Sequence, residues 1–336
     1  MNIKISKQIN FINFNQDYSC FCIGNDEGYE IYNTDPFKKI VEKKLGKNGV
    51  SYITMLSRTN ILGIVLKNTD EELKNEQKLL VWDDKQNIVI GSIEFITKIC
   101  YVYLRKNYCV VSLQNYVYIY NLQSLTIIKK IKTYQNTKGI VDITFQENKF
   151  LIGCLSEHSE KTISIYNILD NIQPIKFDAH KSQIALLQFS NNGNLIATSS
   201  KKGTLIRIFH TLTGDLIKEL RRGSEPTYMD WIKFSREDDM ILCRSKKGTI
   251  HLFNLKQNQY LNKQNKKFSM INYFKKYLPK YFSSEWSFAH FHFQNKKTIS
   301  VFSEDMKHII VISFSGIFYK INFTNNEYVS IVKEYL

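Results

Sequence analysis

Two short segments, Lys202-Gly203-Thr204 and Lys247-Gly248-Thr249, repeat one combination of side chains. The first is followed by Arg207, the second by His251, and Leu220-Arg221-Arg222-Gly223 lies between them. An arginine, a lysine, a hydroxyl and a histidine gathered in one groove suit a phosphate monoester. Arginine supplies bidentate charge-assisted hydrogen bonds, and the others add donors and positive charge. On an extended segment successive side chains point to opposite sides, so Arg221 can serve one groove while Arg222 serves the next. Gly223 then lets the chain turn. His180, in Ala179-His180-Lys181-Ser182, could complete the first groove as His251 completes the second. Singly, each residue reads as a solvated turn lysine or a surface histidine; the duplication around an arginine pair is what points to binding. Histidines that contact phosphate and titrate near their ordinary value of about 6.5 would strengthen anion binding as the pH falls from about 8 to 6.

Little else in the chain could do chemistry. It contains no GxGxxG, P-loop, HExxH or GxSxG motif. His290 and His292 fall on one face of a strand, but no cysteine or acid stands at metal-ligand spacing from them. Asp238-Asp239 and Asp70-Glu71-Glu72 read as turn or loop acids. The expectation is a binding protein with no catalytic residues, no cofactor and no metal.

The charge balance agrees with an anionic partner: 46 Lys and Arg against 31 Asp and Glu give a net charge of +15. The abundance of Asn, Ile and Lys is also what a codon bias would leave. Nucleic acid is one possible anion, but readers of RNA expose aromatic stacking platforms, and here most aromatics fall on strand positions that a core requires. No nucleic-acid partner is expected. The six cysteines, at 20, 22, 100, 109, 154 and 243, form no CxxC and suit reduced thiols in the cytosol. Residues 1–15 alternate apolar and polar types and lack the apolar run of a signal peptide. No stretch approaches the run of about 18 apolar residues that a spanning helix needs, so any membrane contact is expected to be peripheral and cytosolic.

The elements that must hold these residues are strands. A β-rich signature ending in an aromatic recurs at Glu30-Ile31-Tyr32-Asn33, Leu80-Val81-Trp82-Asp83, Tyr118-Ile119-Tyr120-Asn121, Ser164-Ile165-Tyr166-Asn167, Arg207-Ile208-Phe209-His210 and His251-Leu252-Phe253-Asn254. A looser copy is Ile317-Phe318-Tyr319-Lys320. Most of the intervals match the WD-repeat period of about 40–45 residues. Short apolar runs between the anchors, such as Tyr108–Leu113 and Asn194–Ser199, end at polar turns as strands do. Seven such units predict an all-β chain folded as a WD40-like seven-bladed β-propeller, one cooperative domain over residues 1–336.

The interval from Phe253 to Tyr319 is longer than a blade needs, and the excess falls at about 256–284. That stretch has seven lysines and no acid. Phe268, Ile271, Phe274 and Leu278 could share a helical face, with Tyr277 beside them. Basic residues interleaved with large apolar ones are the composition of an interfacial membrane segment. A loop folded back on the propeller is the alternative.

With these residues in view, the chain resembles the PROPPIN family, the WIPI-type propellers that bind polyphosphoinositides. The resemblance runs from about residue 10 to the end. Phe14-Asn15-Gln16-Asp17, Gly28-Tyr29 and Tyr32-Asn33-Thr34-Asp35-Pro36 resemble the family's opening blade. Leu220-Arg221-Arg222-Gly223 matches its Phe/Leu-Arg-Arg-Gly motif, and Leu278–Ser284 with Trp286-Ser287-Phe288 is similar to the WD-repeat 45 subgroup. The resemblance implies a cytosolic propeller recruited peripherally to pre-autophagosomal or endosomal membranes, expected to be a monomer. It implies two sites for phosphatidylinositol 3-phosphate and 3,5-bisphosphate in blades five and six. His180, Ser200, Lys202, Thr204, Arg207 and Arg221 would form the first, and Arg222, Ser245, Lys247, Thr249 and His251 the second. It implies that the basic-aromatic insertion dips into the bilayer, and that lipid-transfer or conjugation proteins of autophagy are partners. The rival reading is a WD-repeat scaffold that binds only proteins. Arg244 departs from the small or hydroxyl residue usual before Ser245, so it would either add charge to the second site or crowd it.

Overall fold

The computed structural model describes residues 8–46, 49–68, 75–146, 148–170, 172–256, 285–293, 297–324 and 331–336, the last for its backbone only up to Tyr335. Its strands form seven antiparallel sheets that follow one another along the chain, each from consecutive hairpins, in the arrangement of a seven-bladed β-propeller. The repeated aromatic signature has one structural meaning: it lies on the third strand of every blade, Gly28–Thr34, Lys78–Asp83, Tyr116–Asn121, Ser159–Asn167, Leu205–His210, Thr249–Asn254 and Ile317–Asn322. Side chains alternate between the two faces of such a strand. Both faces of a blade are covered by its neighbours, so the strands are rich in residues buried on either side.

The core therefore lies between blades rather than within them. Ile206, Ile208 and Leu220 of blade five pack with Met229, Phe234, Cys243 and Phe253 of blade six in one buried cluster. The ring closes in the same way. The last strand, Ile331–Tyr335, pairs within blade seven, and among the described residues no strand is exchanged with blade one. Instead Phe21 and Tyr32 of blade one pack against Val301, Ile312 and Phe318 of blade seven, with Phe37 and Phe318 stacked at 4.4 Å between centroids. Cys20 and Cys22 are both buried on the Cys20–Asn25 strand.

The long interval falls inside blade six. Its third strand ends at Asn254, and its fourth, Ala289–His292, begins after the insertion. The proposed membrane residues Phe268, Ile271, Phe274, Tyr277 and Leu278 lie outside the described residues. Where the described chain resumes, Glu285–Trp286 adds a fifth, parallel strand to blade five beside Leu220 and Arg221, and then crosses to blade six. This strap is tied by the Lys218–Glu285 ion pair at 2.9 Å. Among the described residues no helix is long and apolar enough to cross a membrane.

Candidate functional site

The duplicated segments occupy one hairpin in two neighbouring blades. In blade five the hairpin joins Leu195–Ser200 to Leu205–His210; in blade six it joins Met240–Ser245 to Thr249–Asn254. The turns close alike, Gly203 N donating to Ser200 O at 2.9 Å and Gly248 N to Ser245 O at 2.8 Å. Both glycines have left-handed φ, +63° and +89°. Gly203 has no alternative, because a Cβ there would stand 1.8 Å from the Thr227 carbonyl oxygen. Ser200, Ser245 and Thr204 are buried, Thr249 is half-buried, and Lys202 and Lys247 project into solvent.

The arginine pair sits where blade five ends. Arg221 is the last residue of the Leu216–Arg221 strand, flanked in register by Leu205 and Trp286. Arg222 follows it, with its backbone N bound to Thr204 O at 3.0 Å. The Arg222 guanidinium donates to Gly203 O at 3.0 Å and Glu225 O at 2.6 Å. It also acts on His251 in blade six, where its charge helps depress the imidazole. Arg222 thus anchors the blade-five hairpin to the loop that leads into blade six. Gly223 adopts no left-handed φ, and a Cβ there would meet nothing within 4 Å, so the turn does not demand a glycine at this position.

Tertiary pairing adds residues that the sequence reading missed. Thr198, Arg207 and Glu219 are successive cross-strand neighbours in blade five. Arg207 Nε donates to Glu219 Oε2 at 2.9 Å, and its Nη1 to Ala179 O at 2.9 Å. Part of its charge is therefore already balanced. His180 Nε2 lies 3.0 Å from Thr198 Oγ1, which fixes the ring beside Arg207. In blade six, register places His290 opposite His251 and His292 opposite Thr249. Thr249 Oγ1 and His292 Nδ1 are 3.1 Å apart, and Ser287 Oγ lies 3.3 Å from His251 Nδ1. The paired histidines at 290 and 292 are visible in the sequence, but their neighbours are set by a strand that arrives after the insertion. Lys247 meets Glu225 at 3.0 Å in an exposed, solvent-screened pair.

Two expectations change. Arg244 neither charges nor crowds the second site. It is only 3% exposed and binds Asp230 at 2.5 Å. Both residues line the axial channel, because Arg244 and Ser245 point to opposite faces of their strand. The histidines also do not titrate near 6.5. Burial, then Arg207, pushes His180 down to about 4. Burial, then Arg222 and His290, pushes His251 down to about 4.

Both rings are held neutral in the folded protein, whereas in the unfolded chain they titrate near about 6.5. The unfolded state then takes up more protons between those values, so stability present above about pH 6.5 is lost as the pH falls towards about 4. Thermal unfolding is expected to show the melting temperature falling between about pH 7.5 and 5. His180→Asn should flatten that slope; an unchanged slope would mean that other groups carry it. Neither ring should contribute to any change in headgroup affinity between about pH 8 and 6.5, because neither gains charge there. A rise centred on about pH 6.5 that His180→Asn and His251→Asn together abolish would contradict the buried, neutral rings.

Among the described residues no group of three His, Cys, Asp or Glu could hold a metal ion. The two hairpins and the strands beside them carry arginine, lysine, hydroxyl and imidazole groups, which is chemistry for oxyanions.

Comparison with known proteins agrees with the architecture. The PROPPIN family model matches residues 8–332. The chain is 29% identical over 313 residues to autophagy-related protein 18e of Arabidopsis thaliana, covering 92% of this chain and 82% of that protein. It is 32% identical over 295 residues to SVP1-like protein 2 of Pichia angusta, covering 84% and 80%. A solved structure described as a complex of KlAtg21 with the coiled-coil of AgAtg16 superposes with a TM-score of 0.79 at 23% identity, covering 98% of this chain and 99% of that one. At that identity the likeness is one of fold.

Proposed function

The chain belongs to the PROPPIN family, and from that premise we propose that it is a peripheral membrane scaffold that binds phosphatidylinositol 3-phosphate and 3,5-bisphosphate and acts in autophagosome formation. The observation that carries the reading is the repeated hairpin: one Ser-x-Lys-Gly-Thr turn, closed by the same hydrogen bond in blades five and six, with Arg221 and Arg222 between the copies. The first groove takes His180, Ser200, Lys202, Thr204, Arg207 and Arg221, and the second takes Arg222, Ser245, Lys247, Thr249 and His251. An incoming phosphate competes with Glu219 for Arg207 and with Glu225 for Lys247. The Lys247–Glu225 pair is exposed, so that exchange is inexpensive, whereas the part-buried Arg207–Glu219 pair costs more to open. The whole chain acts as one propeller whose insertion at about 256–284 faces the bilayer, and it works as a scaffold rather than as an enzyme. Its partners are autophagy proteins, as the coiled-coil complex of a structural neighbour suggests by analogy. Vesicle flotation tests the reading, with the arginine variants described below.

The insertion supplies a separate test. Phe274→Ser, Tyr277→Ser and Leu278→Ser together are expected to shorten membrane residence and to leave soluble headgroup binding within about twofold, because interfacial burial of apolar side chains and oxyanion recognition are independent contributions. Equal loss of both would assign the segment to the propeller's own packing. Trp286 and Phe288 are exposed on the strap that touches both grooves, where large rings can lie at headgroup level beside the arginines.

A further inference from the structure

The axial channel is a second basic site, built from residues that neither rim groove uses. Two adjoining cavities of about 440 and 250 Å³ share Tyr101, Tyr103, Gln188, Trp231 and Lys233, so they form one passage pinched at those side chains. Innermost strands of the blades form the wall, among them Tyr101–Arg105, Ile184–Phe189 and Met229–Phe234.

The larger cavity is charged in one sense. Lys138, Lys233, Arg244 and Lys297 line it, against a single carboxylate among its described lining residues, Asp230. Arg244 takes that carboxylate at 2.5 Å. Asp142, near Lys233 in the narrower cavity, is occupied by Gln188 Nε2 and Phe189 N, each at 2.7 Å, and by Tyr103 OH at 3.0 Å. Among the described residues neither Lys233 nor Lys297 forms an ion pair. Their ammonium groups rest on ring faces instead, Lys297 over Phe314 at 4.1 Å and Lys233 over Trp231 at 5.3 Å. Lys138 donates to Tyr228 OH at 2.8 Å. Lys138, Lys233 and Lys297, none of them ion-paired among the described residues, keep the potential of the cavity positive, which favours an anion there.

We propose that the wide end of the axial channel binds a compact polyphosphate, held by Lys233 and Lys297. Three lysines beyond the Arg244–Asp230 pair call for a ligand with more than one negative charge, and the cavity of about 440 Å³ limits it to a small one. Lysine suits such a ligand as a point charge that needs no planar, bidentate partner. Lys233 is half-buried, and that burial lowers its affinity for a proton until an anion arrives. The site is independent of the lipid reading, since its lining shares no residue with either rim groove.

The test is a calorimetric titration of inorganic pyrophosphate into the full chain carrying Arg221→Thr and Arg222→Thr, so that rim binding does not contribute. Saturable one-to-one binding is expected in that background. Adding Lys233→Met or Lys297→Met should weaken it about tenfold or more, the scale of one charge-assisted hydrogen bond. Lys297 is exposed, so should Lys233→Met fail to fold, Lys297→Met carries the test alone. Absence of binding in the rim-deficient background, or undiminished binding in folded channel variants, would overturn the proposal.

Discussion

Replacing Arg221 and Arg222 together with threonine is expected to abolish flotation of the protein with vesicles that carry phosphatidylinositol 3-phosphate. A hydrogen bond to a charged group contributes about 1.5–3 kcal/mol, so losing one arginine contact in each of two grooves removes about 3 kcal/mol or more, over 100-fold in affinity. The two positions are not equivalent. Arg222 also holds the Gly203 and Glu225 carbonyls, so its loss loosens the blade-five hairpin as well as the second groove. Arg221 lies on the strand edge covered by Trp286, and its loss should act on the first groove alone. The single variants should therefore retain partial binding, with Arg222→Thr also lowering the melting temperature slightly. Undiminished flotation of a folded double variant would leave the protein-binding scaffold as the reading.

Gly203→Val is expected to be among the most damaging single changes in the described chain. Any side chain at φ +63° is strained by about 1–2 kcal/mol, and here its Cβ would overlap the Thr227 carbonyl oxygen at 1.8 Å. That neighbour is backbone, itself held because Thr227 N donates to Lys202 O at 3.1 Å, so it cannot swing aside as a side chain would. The combined cost of strain and displacement is about 3 kcal/mol or more, a large part of a domain's stability. Both grooves should suffer, because Arg222 bonds to the Gly203 carbonyl that the substitution displaces. Gly223→Ala is the matched control: with open space and ordinary φ it should change stability by less than about 0.5 kcal/mol. Chemical denaturation of the two variants decides the point, and comparable stabilities would show that the hairpin yields at Thr227. If Gly223→Ala remains stable yet weakens flotation, the glycine serves close approach to the membrane rather than the turn.

How much of this was legible in the sequence varied with the range of the interaction. The seven blades could be read because each repeats one local pattern, an alternating strand that ends in an aromatic. Every one of the seven anchors falls on the same strand of its blade. The paired hairpins could be read because a Lys-Gly-Thr turn is a local object whose glycine answers a local φ. Gly223 shows the limit of the same logic: its turn was inferred from residue type alone, and the backbone there needs no glycine.

The sequence by itself determined the fold class, the doubling of the basic hairpin and the place of the arginine pair between the copies, because strand period and turn chemistry act over a few residues. Only the tertiary structure decided what each of those residues meets. Glu219 neutralises part of Arg207 through the register of two strands. His290 and His292 reach His251 and Thr249 on a strand that returns only after the insertion. Arg244, next to a predicted site residue, belongs to the axial channel through Asp230. Both candidate histidines are neutral because burial and a neighbouring arginine act on them together. Charge, burial and hydrogen-bond partnership are properties of neighbours in space, and in a propeller those neighbours come from the next strand and the next blade.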